Sequence, residues 1–445
     1  MTLGLVWALA CTDASTPKES IATLAQSAPP LVLPGITVRG VIFIEVDTLR
    51  RDHLPAYGYG RDTMPQLGNR AWHQVNGHSA PASWTLPSVS SLFSSVEPAR
   101  HGMFASGGGG VPLHPFDSPS WPAALGEGGW STAVFTGNRW FSENSGLSTI
   151  FQTAVVAPKE ETGQANLGAL VPDLLGWLDT LPEDGNFYAH IQPMDPHEPY
   201  APPPEDVAVF RTEPLPFELG PEGISNEQVA ELWQTAASVA DQAAIEGALV
   251  DIYDAQLLGL DRAVDDLLEQ LEARGLLAET LVVFSADHGE LLGEAAPGVF
   301  GHGVRWYQAE AQLPLLLLAP GIEAGVSECL SMNLDLWPTI AEMMGLTPLG
   351  DVDGVDLRQG CRTSVRGSDW SQEEALRVYG VASTRSALSH SCATGRNAGT
   401  PIGEDADPTE TTRADQLEHV DALETRLEEA YTAILAARPS TLCEN

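Results

Sequence analysis

Four short apolar runs, each stopping abruptly at polar residues, constrain this chain more than any other feature. Val41-Ile42-Phe43-Ile44-Glu45-Val46 stops at Asp47, and Ala133-Val134-Phe135-Thr136 stops at Gly137-Asn138. Phe187-Tyr188-Ala189-His190-Ile191 runs into Asp195 and His197, and Leu281-Val282-Val283-Phe284 into Asp287-His288. Runs this short and continuous read as strands buried on both faces, the habit of parallel sheets. Helical stretches separate them. The clearest covers about 245–274, where Leu249, Ile252, Tyr253, Leu260, Val264, Leu267, Leu268 and Leu271 recur at helical spacing before Gly275 ends it. The alternation predicts an α/β fold, a doubly wound and mostly parallel sheet flanked by helices. Ligands of such sheets bind at the carboxyl ends of the strands, which is where these polar residues fall.

At 445 residues and 43% hydrophobic the chain can bury a large core. Its 60 acidic against 22 basic residues give a net charge of −38, which disfavours nucleic acid and anionic membrane surfaces as partners. The same charge repels an anionic substrate at long range, so a site for one needs a local cation. Leu3 to Ala10 form an apolar run ending at Cys11, ahead of the polar stretch Thr12–Pro30. This reads as a secretion signal with lipid at Cys11, hence export to the periplasm or the outside, or else as a frayed terminus. No other segment has the roughly 18 uninterrupted apolar residues of a spanning helix, so lipid at Cys11 is the expected route to a membrane. Cys329, Cys361, Cys392 and Cys443 allow three pairings, and an oxidising compartment suits two disulfides. Two regions depart from the strand and helix pattern: the Pro-rich, acidic 200–226, expected as a surface excursion, and the flexible Gly107–Gly110 loop.

Asp47, Asp287 and His288 are two hard oxygens and an imidazole, the donors a divalent cation recruits, delivered from two strand ends. Between them Ser83-Trp84-Thr85-Leu86-Pro87-Ser88 leads into a helix, and a hydroxyl there faces free backbone N–H groups that favour a tetrahedral anion. Taken alone, Thr85 is an ordinary helix cap. In combination these segments resemble sulfatases, members of the alkaline phosphatase superfamily. The resemblance rests on Glu45 to His53, Tyr57-Gly58-Tyr59, Pro81 to Ser88, Arg100-His101-Gly102 and Asp195-Pro196-His197-Glu198-Pro199-Tyr200. It continues through Tyr253-Asp254, Ser285 to Glu290, Gly301-His302-Gly303, Pro314, Asp335 to Thr339 and Asp407 to Thr411, covering about 40–435.

The resemblance implies one metal ion held by Asp47, Asp287 and His288, with the oxygen of a nucleophile at Thr85 completing the set. It places His197 and His302 at the transferring group or the leaving oxygen, and Asn138 on the substrate anion. Thr48 stands where relatives carry a second metal-binding Asp and is assigned to the substrate, while Val89 replaces an Arg four residues after the nucleophile. Threonine cannot become the formylglycine that sulfatases make from Cys or Ser, so no formylglycine is expected. The resemblance therefore implies a hydrolase of anionic esters, phosphate, phosphonate or sulfate, working through Thr85, and the threonine favours the phosphorus esters. The resemblance suggests calcium, while the histidine ligand and reduced carboxylate count suit zinc or manganese. Two other readings are a binding protein without turnover and a phosphoethanolamine-type transferase. Along the chain, 1–11 reads as the signal, 12–36 as a linker and 37–359 as the sulfatase-like catalytic domain. A smaller C-terminal subdomain, 360–445, ends in an amphipathic helix over 414–437.

Overall fold

A computed structural model describes residues 30–106, 111–112, 114–157, 165–293, 297–303 and 307–370, with the strands at 376–382, 386–391 and 396–401. Eight strands form the main sheet: β1 (Gly40–Val46), β2 (His73–Ser79), β3 (Ser131–Thr136), β4 (Thr153–Val156), β5 (Phe187–Gln192), β6 (Thr280–Ala286), β7 (Leu315–Leu318) and β8 (Gly325–Met332). Their order is β8-β2-β7-β6-β1-β5-β3-β4. The four apolar runs are the contiguous centre, β6-β1-β5-β3, and every pairing there is parallel. β7 alone is reversed, antiparallel to both β6 and β2.

Alternate residues of β1 explain why the sheet is wrapped on both sides. Ile42, Ile44 and Val46 pack with α2 (Leu167–Leu178) and α4 (Val239–Ala273), whereas Val41 and Phe43 pack with α1 (Thr85–Ser94) and α5 (Asn333–Met344). Burying each such side chain contributes about 1.5–3 kcal/mol, so neither face of β1 can be left open. The long helix α4 begins earlier than its apolar stripe, because Ser238 Oγ accepts the Asp241 N–H at 3.2 Å and caps the added turns. Ahead of α4, α3 (Asn226–Thr235) opens on a capping box made by Ser225 and Gln228.

Several segments differ from expectation. Within the 12–36 stretch read as a linker, Leu31, Leu33 and Ile36 are buried, and the Leu31 and Ile36 N–H groups donate to Leu357 and Met343 carbonyls, each at 3.0 Å. The 200–226 excursion is anchored: Tyr200 is fully buried and exchanges two backbone hydrogen bonds with Ile224, at 2.9 and 3.1 Å. Cys329 on β8 and Cys361 form a disulfide, with 5.2 Å between their Cα atoms. Cys11, Cys392, Cys443, Gly107–Gly110 and the helix expected over 414–437 lie outside the described residues. After the main sheet comes a four-stranded antiparallel sheet, β9 (Val365–Trp370) to β12 (Arg396–Pro401) in chain order, joined through Leu376–Ala382 and Ser386–Ser391. No helix among the described residues is long and apolar enough to cross a membrane.

Candidate active site

Register places the first two acids side by side. Val46 of β1 pairs with Ala286 of β6, so the next residues, Asp47 and Asp287, leave the sheet together. Thr136 of β3 pairs with Gln192 of β5, which brings Asn138 and Gln192 to the same edge. Thr85 is the first residue of α1, after Trp84 in extended backbone, so its hydroxyl lies at the positive end of the helix. The helix is pinned there: Ser88 Oγ donates to the Asp287 carbonyl at 2.6 Å, and Asn333 Nδ2 of α5 lies 3.3 Å from Ser88 Oγ and 3.2 Å from the Ala286 carbonyl. On the other side, Tyr253 of α4 donates to the Thr48 carbonyl at 2.8 Å and accepts the Arg50 N–H at 2.9 Å, fixing the turn after β1.

The structure brings all the residues singled out above into one cluster. Asn138 Nδ2 donates to Asp47 Oδ2 at 2.6 Å and lies 3.3 Å from Thr85 Oγ1. Thr85 Oγ1 is also 3.3 Å from His288 Nε2, which stands 3.5 Å from Asp47 Oδ1 and 3.5 Å from Asp287 Oδ2. His288 Nδ1 faces the Gly289 carbonyl at 2.9 Å; a carbonyl only accepts, so Nδ1 carries the proton and Nε2 presents its lone pair. Thr48 donates its N–H to Asp287 Oδ1 at 3.3 Å, and its φ of 58° is a left-handed conformation uncommon for a β-branched residue. That conformation points its amide at the carboxylate, while its own hydroxyl is buried without a hydrogen bond.

Electrostatics identify what the cluster lacks. Burial raises the Asp47 carboxyl against the pull of His197, His302 and Asn138. Burial, with Asp47 and Glu45 nearby, lifts Asp287 well above the usual carboxylate range. His288 is held well below its ordinary value by burial and by His302 and His197, so it contributes no positive charge. Asp47 Oδ1 and Gln192 Oε1 are buried without a hydrogen bond. Two facing carboxylates, a neutral imidazole and orphaned oxygens fit a divalent cation, and one ligand atom each from Asp47, Asp287 and His288 lies within 4.8 Å of the others.

Two further histidines close the cluster. The His302 ring is 4.5 Å from that of His288 and 5.0 Å from that of His197. His302 Nδ1 meets Glu290 Oε1 at 3.1 Å, and His197 Nδ1 donates to the Glu198 carbonyl at 2.6 Å. Burial pulls His302 down, but Glu290, with Asp47 and Glu198 nearby, outweighs it and raises the imidazole above its ordinary value. Gln192 and Glu290 are the residues that sequence reasoning gave no role: Gln192 Nε2 donates to Asp287 Oδ2 at 3.1 Å, and Glu290 orients His302. The sequence marks Gln192 only by position, as a polar residue at the end of a fully buried strand, while its partner Asp287 lies 95 residues further along the chain.

Comparison with known proteins adds family and fold. The family model described as Sulfatase matches residues 39–346. A choline-sulfatase of Rhizobium meliloti (strain 1021) is 34% identical over 109 residues, 24% of this chain and 20% of the relative. The chain spans about a fifth of the length of the curated relatives it matches. A protein solved with its substrate D-glucosamine-2-N,6-O-disulfate superposes with a TM-score of 0.69 at 17% identity, over 91% of this chain and 99% of that one. The phosphonate monoester hydrolase of Agrobacterium radiobacter superposes with a TM-score of 0.66 at 16% identity, over 89% and 95%. At such identities the two structures speak for the fold alone.

Proposed function

The chain belongs to the sulfatase family, and from that premise we propose that it is a metal-dependent hydrolase that takes phosphate or phosphonate esters in preference to sulfate esters, through a covalent intermediate on Thr85. The observation that carries this reading is the Thr85 hydroxyl, buried at the start of α1 and 3.3 Å from both His288 Nε2 and Asn138 Nδ2. A threonine sulfate offers no aldehyde hydrate from which sulfate could be eliminated, whereas a threonine phosphoester is open to attack at phosphorus. The similarity of fold to a phosphonate monoester hydrolase is compatible with that chemistry.

Asp47, Asp287 and His288 would hold a divalent cation, calcium, zinc or manganese, with Thr85 Oγ1 beside it. When bound, such an ion supplies Lewis acidity and neutralises charge on the anionic ester. Thr85 Oγ1 then forms the new bond to phosphorus, its proton passing to solvent, as the bond from phosphorus to the ester oxygen breaks. His302 is the better placed proton donor: Glu290 holds its Nδ1, leaving Nε2 to give a proton to the leaving alcohol. Asn138 steadies the Thr85 oxygen and Asp47 together, and Thr48 in the turn after β1 donates its N–H to Asp287. Water attacks phosphorus in the second step and gives a proton to the His302 imidazole, the bond to Oγ1 breaks, and the Thr85 oxygen takes a proton back from solvent.

The catalytic unit is taken as 37–359, with the smaller C-terminal part after it. Export is part of the same reading, and the Cys329–Cys361 disulfide supports an oxidising compartment. The test is a panel of aryl phosphate monoesters, phosphate diesters, phosphonate esters and sulfate esters given to metal-loaded protein. Turnover of a phosphorus ester is expected; turnover of the sulfate ester alone would refute the argument from threonine.

A further inference from the structure

In a chain of net charge −38 an unpaired cation is conspicuous. Of the arginines whose side chains are described, Arg39, Arg50, Arg61, Arg70 and Arg100 each have a carboxylate within salt-bridge distance, as do Arg211, Arg262, Arg274, Arg358 and Arg362. Arg51 donates to the Asn76 carbonyl and to Gln312. Arg139 differs: it is exposed, and among the described residues its guanidinium meets only the face of Trp140, at 5.2 Å from the ring centroid. It is also beside the site. Asn138, its neighbour in sequence, touches Asp47 and Thr85, and Asn138 Oδ1 accepts the Trp140 N–H at 2.9 Å. Trp140 packs edge-on to Trp84 at 5.4 Å, and Trp84 immediately precedes Thr85.

The other wall of this strip is the histidine loop. Gly303 follows His302, donates its N–H to the Ser83 carbonyl at 2.9 Å, and brings its Cα side within ordinary contact of Trp84, where a Cβ would lie 3.6 Å away. Arg139, Trp140 and Trp84 therefore form a continuous strip from solvent to the nucleophile. Stacking on the indole holds the guanidinium fork in place, which lowers the entropy lost when it grips an anion. Carboxylates hold ten of the other described arginines and neutral oxygens hold Arg51, whereas among the described residues Arg139 meets no carboxylate and its guanidinium stays open to an anion.

We propose that Arg139, presented on Trp140 and Trp84, binds a second anionic group, a carboxylate or a further ester anion, on the alcohol portion of the substrate. This rests on the ester hydrolase reading above and adds the class of alcohol: an acidic one, with an aromatic or sugar ring to lie along Trp84. The strip also answers the long-range repulsion that the acidic surface imposes on such a substrate, since it supplies a fixed cation at the mouth of the site.

The probes are phenylphosphonate and para-carboxyphenylphosphonate, whose carbon–phosphorus bonds are not esters, titrated calorimetrically into metal-loaded protein. The natural chain should bind the carboxylated probe about tenfold more tightly, the size of one charge-assisted contact at a partly exposed position. Arg139→Ala should abolish that preference, and Arg139→Lys should restore part of it. Equal affinity of the natural chain for both probes, or a preference that survives Arg139→Ala, would overturn the proposal. Because binding is read without turnover, failure of the hydrolase reading appears separately, as no cleavage of the corresponding aryl phosphate esters.

Discussion

Among the described residues are two buried clusters of two aspartates and a histidine, and they are built to opposite ends. In the first, His53 Nδ1 meets Asp254 Oδ1 at 2.7 Å, and Tyr59 and Arg61 donate to Asp254 Oδ2 at 2.7 and 2.9 Å. Asp251 beside it is gripped by Arg61 at 2.7 Å and Arg211 at 2.8 Å. Every carboxylate oxygen there has a donor from the chain itself. In the second, Asp47, Asp287 and His288 face one another, both carboxyls are raised by burial, and Asp47 Oδ1 has no hydrogen bond. Residue types do not separate the clusters; satisfaction does. The first is a finished structural joint, tying α4 to the turns after β1, and the second is finished only by a cation.

Substitution should separate the two in kind. Asp287→Ala is expected to remove the divalent ion, measured by elemental analysis, and to lower turnover on the order of a thousandfold. Unchanged metal content would mean that the wrong cluster has been assigned. Asp254→Asn should leave the metal in place but cost about 3 kcal/mol in urea unfolding, because it strips a buried partner from His53, Tyr59 and Arg61. Loss of metal in that variant would erase the distinction.

A smaller effect tests the electrostatics of the metal-free protein. Unfolded Asp287 releases its proton at the ordinary aspartate value, and folded Asp287 releases it only well above. Stability of the metal-free chain should therefore fall as pH rises between those two values, and Asp287→Asn should flatten that fall. Added metal should reverse it, by about 2.7 kcal/mol at a concentration a hundred times its dissociation constant. A metal-free chain that gains stability over the same pH range would show that the carboxylates are paired by the protein after all.

The same contrast explains what could be read from the chain. The central strands were legible because burial on both faces forces continuous apolar runs, and the site residues because they end those runs. β2, His73–Ser79, was not legible: lying between the reversed β7 and the outer β8, it carries His73, Gln74 and Asn76 half-buried, and so has no apolar signature. β7 is only four leucines, too short to distinguish a strand from a loop. Gln192 and Glu290 gained roles only in three dimensions, because what each does depends on a partner far away or across a loop. Composition also hid Leu31, Leu33 and Ile36, three apolar residues spaced among Pro and Gly that reach the core one at a time.

The central claim is that Thr85 displaces the ester oxygen and is then displaced by water, in two in-line steps at phosphorus. The stereochemical course tests it directly, with a chiral aryl phosphorothioate ester hydrolysed by the metal-loaded protein in isotopically labelled water. Two successive displacements predict net retention of configuration at phosphorus. Inversion would mean that water attacks the substrate itself and that the hydroxyl of Thr85 is not the nucleophile.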